Sequence, residues 1–170
     1  MITQHRLMAH GIPYFRAERE AIRVETRERN RSTFSGVRQL GKVNPELQVR
    51  KRVGPLEIWI VDGRLVRKID PRFCVGGHDM VYGYVPNNHI WLEKDTPHRD
   101  LDYNEVHEMG ERKDMTMGYS YPVAHAKWSR IQTDCYHDKN ELLRQMKLFG
   151  LVDAAARRGK YGNFVVSEAL

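Results

Sequence analysis

The sequence predicts an α+β domain: a small, mostly antiparallel sheet packed against two or three helices, with an N-terminal helical arm. Three observations predict it. β-rich runs cluster between Leu56 and Glu93, helical runs follow from about Asp102, and a basic, weakly apolar segment precedes both. The 170 residues suit one domain with an appendage. A content of 41% hydrophobic and 29% charged residues is that of a globular chain able to bury a core.

Taken in order, residues 13–30 carry helix formers, with Pro13 near a plausible start. Their apolar positions, Phe15, Ala17, Ala21, Ile22 and Val24, form only a weak stripe, which reads as a surface helix or docking arm. Residues 31–54, with Ser32, Thr33, Ser35, Gly36, Gly41 and Pro45, read as a loop or linker. LEIWIV, Asp62-Gly63 and RLVRKI then give a hairpin signal across an Asp-Gly turn. DMVYGYV and HIWLE, separated by Pro86-Asn87-Asn88, read as two more strands. Residues 94–100 form a charged loop, and a helix is predicted from about Asp102 to Met117, ended by Gly118. Ser120 is placed to cap a second helix, with Pro122 in its first turn. A third helix is predicted from about Asp138 to Arg158, with Gly150 as a break point. The tail NFVVSEAL reads as a short strand or a frayed end. The organisation is thus an arm and linker over residues 1–50, a core over 51–136, and a C-terminal helix and tail over 137–170.

The formal net charge of +6 raises the question of nucleic acid. The arginines of residues 16–52 are interleaved with Glu18, Glu20, Glu25 and Glu28. Such a mixed face reads as a solvated surface, so residues 1–50 are expected to dock on a protein complex, with polyanion binding as the less favoured reading. No apolar run approaches membrane-spanning length, and MITQHRLMAHGIPYF lacks the apolar stretch of a secretory signal. Two cysteines, Cys74 and Cys135, are too few for a disulfide framework or a Cys-based zinc site. A cytoplasmic protein is expected, or a virion-associated one if the source is viral.

The chemistry concentrates in His107-Glu108-Met109-Gly110-Glu111-Arg112, followed by His125. Residues four apart lie on one face of a helix, so His107 and Glu111 can point at one spot. An antiparallel second helix would bring His125 to them, completing a His₂Glu shell for zinc or another divalent ion. Glu108 would then be the general base for a water activated by the ion. Tyr119 or Tyr121 is expected to donate to a developing oxyanion, with Tyr121 preferred because it is one turn from His125. Asp114, one turn beyond Glu111, is expected to orient a ligand. Gly110, costly inside a helix, calls for a close approach by another backbone or by a metal-bound substrate.

The order of parts (a strand at His89–Glu93, a loop, an H-E-x-x-E helix, a turn, a later ligand) resembles the zincin-like metallopeptidases over roughly residues 78–134. The departure is Glu111, where the family carries its second histidine; zinc accepts a carboxylate oxygen, and the change leaves metal identity open. The resemblance gives His89, Ile90 and Trp91 a substrate-binding role, pairing as a strand with an extended peptide or protein substrate. GGHDMVYGYVPNNHIWLE and VHEMGERKDM…GYSYPVAH also look like an uncharacterised bacterial and phage group with an H-E-x-x-E-R…A-H pattern. The resulting expectation is a zinc-dependent peptidase or amide hydrolase. The alternative is a non-catalytic basic structural or interaction protein, a virion or complex component, in which His107, Glu108 and Glu111 are a polar helix face and His125 is a hydrogen-bonded core residue. His78, after Gly76-Gly77, stands as a substrate-side residue, a backup ligand or a turn residue.

Overall fold

The computed structural model of the chain describes residue 16 and residues 44–152, 157–158 and 164–165. The helix expected over residues 13–30, and with it the docking arm, lies outside the described residues except for Arg16, which is helical. The fold is α+β and divides into two compact units. One contains Glu57–Thr96 and the strand residues up to Arg50; the other contains Lys51–Leu56 and the chain from Pro97 onward.

The first unit carries most of a four-stranded sheet, all but Lys51–Val53 and Leu56, and one short helix. Its elements are β1 (Glu46–Val53), β2 (Leu56–Val61), α1 (Gly63–Arg67), β3 (Gly76–His78) and β4 (His89–Glu93), with sheet order β1-β2-β4-β3. β2 and β4 run parallel, Glu57 opposite His89 through Val61 opposite Glu93. β3 is antiparallel to β4, Gly76 opposite Leu92. The sheet is therefore mixed rather than mostly antiparallel.

The expected Asp-Gly hairpin is absent here because Asp62 starts a helix instead. Its side chain accepts from Arg64 N at 3.0 Å, an N-cap. Gly63 N donates to Glu93 Oε1 at 3.2 Å, and a Cβ on Gly63 would run into that carboxylate. Arg67, one turn on, pairs with Glu93 Oε2 at 2.6 Å. Asp-Gly suits a hairpin turn and a helix entry alike; the buried Glu93 selects the helix. A parallel neighbour also needs a longer crossover than a hairpin allows.

DMVYGYV is a chain of turns rather than a strand, with Val81 N and Tyr82 N both donating to His78 O. The turns drive Tyr82 and Tyr84 into a core with Val61, Val66, Phe73, Val85 and Trp91. Their alternation reflects this burial, not pleating. The segment around Glu46 was expected to be linker, yet Glu46–Val53 is a strand. None of its residues is fully buried, so no apolar pattern announces it; charged residues suit an edge strand. Glu46 Oε1 ties it inward, accepting from His89 Nδ1 at 2.6 Å and Trp91 Nε1 at 2.8 Å.

The second unit is helical: α2 (His98–Thr116), α3 (Tyr121–His137) and α4 (Lys139–Leu148). α2 begins at His98, four residues before its expected start, with Pro97 at the N-cap position. It ends in a Schellman motif: Tyr119 N donates to Asp114 O and Gly118 N to Met115 O, with Gly118 at φ +94°. Ser120 occupies the N-cap position of α3, but its side chain makes no cap bond. Asp138 does cap α4, accepting from Asn140 N at 2.8 Å. α4 stops at Leu148 rather than near Arg158, because Gly150 takes φ +67° and Leu151 N closes on Met146 O. Beyond it, Arg157–Arg158 and Phe164–Val165 pair as a short antiparallel ladder, β5 with β6.

Candidate metal centre

α2 is buried along most of its length, and its buried residues are chiefly polar: Asp100, Asn104, Glu105, His107, Glu108, Glu111 and Asp114. Val106 and Met109 supply an apolar stripe, whereas Met117 is exposed. α3 turns back along α2 after the Gly118 turn and buries Ala124, His125, Trp128, Gln132 and Cys135. Three contacts set the approach of the two helices. Gln132 donates to Asn104 Oδ1 at 2.9 Å. Trp128 Nε1 donates to Asp114 Oδ2 at 2.9 Å. The Trp128 indole lies where a Cβ on Gly110 would stand. The group that approaches Gly110 is thus a tryptophan ring from α3, not another backbone or a substrate.

The approach brings His107, Glu111 and His125 together. His107 Nε2 lies 3.3 Å from Glu111 Oε2 and 3.2 Å from His125 Nδ1. His125 Nδ1 lies 2.5 Å from the same Glu111 oxygen. All three residues are buried. A carboxylate oxygen of Glu108, also buried, comes within 4.8 Å of one on Glu111. Burial lowers the His107 pKa, but the Glu111 hydrogen bond and the charges of Glu111 and Glu108 outweigh it and hold the imidazole above its ordinary value.

These residues form a His/Glu/His group that can hold a metal ion. If His107 Nε2–H and His125 Nδ1–H both donate to Glu111, the two N–H groups face each other at 3.2 Å. A cation at the centre satisfies all three atoms at once. Donors ~2.1 Å from a tetrahedral ion lie ~3.4 Å apart, so two edges of the triangle already match and the third opens by ~0.9 Å. The outer nitrogens, His107 Nδ1 and His125 Nε2, are buried and have no hydrogen-bond partner among the described residues. In each ring the nitrogen aimed at the cluster is the one with polar company. Two imidazoles and a carboxylate suit zinc and other borderline divalent ions.

The remaining sequence-predicted residues fall in different places. Tyr121 lies against the site: its ring stacks on His125 with centroids 5.0 Å apart and planes 28° apart. Asp114 bonds Trp128 and Lys127, so it anchors α3 rather than orienting a ligand directly. His89, Ile90 and Trp91 lie in the first unit. Ile90 and Trp91 are core, and His89 is held by Glu46 and stacked on Trp59. β4 has β2 on one side and β3 on the other, so strand addition at His89–Glu93 is corrected: its backbone edges are already used. His78 is buried in β3, its Nδ1 accepting from Met80 N at 3.3 Å. Sequence reasoning missed the Gly110–Trp128 contact as the element that sets the helix spacing. The available signal was a glycine and an aspartate four apart on the face that meets a tryptophan.

Among the described residues no helix is long and apolar enough to cross a membrane. Comparison with protein-family models, with curated proteins and with solved structures finds no match.

Proposed function

We propose that the chain is a zinc-dependent peptidase or amide hydrolase, with a zincin-like arrangement of the helix that carries His107-Glu108 and Glu111. The observation that carries this reading is the convergence of His107 Nε2, His125 Nδ1 and Glu111 Oε2 on one point, with Glu108 beside them. His107, Glu111 and His125 hold the ion, which when bound supplies Lewis acidity toward a water and a substrate carbonyl. Glu108 follows His107 directly, about 100° around the helix from it, and serves as the general base. Amide substrates fit this set because their hydrolysis requires carbonyl polarisation and a proton acceptor together.

Glu108→Gln tests the assignment. It keeps side-chain size and should retain zinc and fold while lowering hydrolysis of unstructured peptides by ~10²-fold or more. A peptidase activity untouched by that substitution would exclude Glu108 as the base.

A further inference from the structure

Tyr121 is the first residue of α3 and His125 lies one turn on, so the two side chains share a face. Their rings are stacked, 28° from parallel. A phenol laid flat against an imidazole presents its π face to that ring. The opposite end of the same turn is also pinned: Trp128, three residues beyond His125, is fixed by Asp114 and by the notch at Gly110. Ser129 Oγ bonds the His125 carbonyl at 2.7 Å. His125 is therefore the one candidate ligand on α3, held between an aromatic cover and a fixed backbone.

Resting on the metal-centre reading above, we infer that Tyr121 is a positioning residue for metal binding, acting through its ring on His125 rather than through its hydroxyl on substrate. Two physical effects support the role. Stacking restricts the imidazole to the orientation that points Nδ1 at Glu111 and His107, so less rotamer freedom is lost when an ion binds. Ligation to a divalent ion also draws electron density from the imidazole, and an aromatic face attracts a positively polarised partner. The stack thus favours the ion-bound ring over the free one. The ring, not the hydroxyl, carries both effects.

The test is zinc affinity of the full chain, measured by competition with a chromophoric chelator, together with the visible spectrum of the cobalt-loaded protein. Tyr121→Phe should bind zinc within ~2-fold of wild type and keep the cobalt spectrum. Tyr121→Ala should bind ~10-fold more weakly, the scale of lost support for a metal-ligating histidine, with an altered cobalt spectrum. Tyr121→Leu, which keeps bulk without a π face, should fall between them and guards against a folding defect in the alanine variant. Equal affinity in Tyr121→Ala and wild type would overturn the inference, as would a Tyr121→Phe loss as large as that of alanine. Wild type that binds no zinc would overturn the metal centre and this inference with it; wild type that binds zinc while alanine matches it overturns the inference alone.

Discussion

In the first unit, Val61, Val66, Phe73, Tyr82, Tyr84, Val85 and Trp91 pack as an apolar and aromatic core, and the buried acids each meet an arginine, Glu93 with Arg67 and Asp70 with Arg72. In the second unit, the interior face of α2 is lined with carboxylates, an amide and a histidine, and Glu111 pairs with two imidazoles. Burying charge beside a fixed guanidinium is a structural solution, because the guanidinium is always protonated. Burying a carboxylate between two histidines fixes no cation of its own, because each imidazole is neutral or charged according to its surroundings. The contrast teaches where each unit's free energy goes. The first holds a shape, and the second gathers a set of atoms that can hold an ion.

The sharpest way to break this comparison is to remove a ligand. His107→Ala should abolish zinc binding and Glu111→Ala should weaken it strongly, with the first unit's core untouched. Isothermal titration with zinc reads both. Retained stoichiometric binding in His107→Ala would place the ion elsewhere.

The α2–α3 hairpin was legible in the sequence because its signals are local. His107 and Glu111 share a face by spacing alone, and Gly118 marks the turn that returns His125. The sheet was less legible, because its pairings depend on partners distant in sequence. Asp62-Gly63 fits two local structures, and Glu93, thirty residues away, decides between them. β1 has no buried stripe, and Glu46 reaches its partners on β4 only after folding. Trp128 shares a face with His125 by spacing, but the glycine notch that receives it becomes visible only when the two helices meet.

Next in size is the apolar core. Phe73 is fully buried. Phe73→Ala should cost about 3–5 kcal/mol in denaturant unfolding while leaving the zinc affinity of folded protein unchanged. A matching loss of zinc affinity would mean that the two units are not energetically separate in the way their interiors suggest.

Gly110→Ala probes the helix spacing. Its methyl group meets the Trp128 indole, and overpacking of this kind costs about 1–3 kcal/mol. Because Trp128 is three residues from His125, zinc affinity should fall along with stability. Thermal melts with and without zinc separate the two losses, and a variant as stable as wild type would show that the indole moves aside cheaply.

The smallest expected effect concerns Asp100, in the first turn of α2. Burial, partly opposed by Arg99, raises its pKa above the ordinary carboxylate value. A group raised in the folded state contributes stability below its unfolded pKa and loses that contribution as pH rises through the folded value. At neutral pH the ionised Asp100 therefore costs stability, offset in part by its place at the positive end of the helix. Asp100→Asn should be slightly more stable than wild type at pH 7, and the advantage should disappear near pH 3. An advantage that instead grows as pH falls would reverse the sign of this argument.

The central claim is that the buried His107, Glu111 and His125 are gathered to hold an ion. Elemental analysis of the full chain, purified without a metal-affinity tag, tests it most directly. The account predicts about one divalent ion per chain, most readily zinc. Protein refolded in the presence of zinc that carries no stoichiometric metal would contradict it and leave the cluster as a hydrogen-bonded polar helix face.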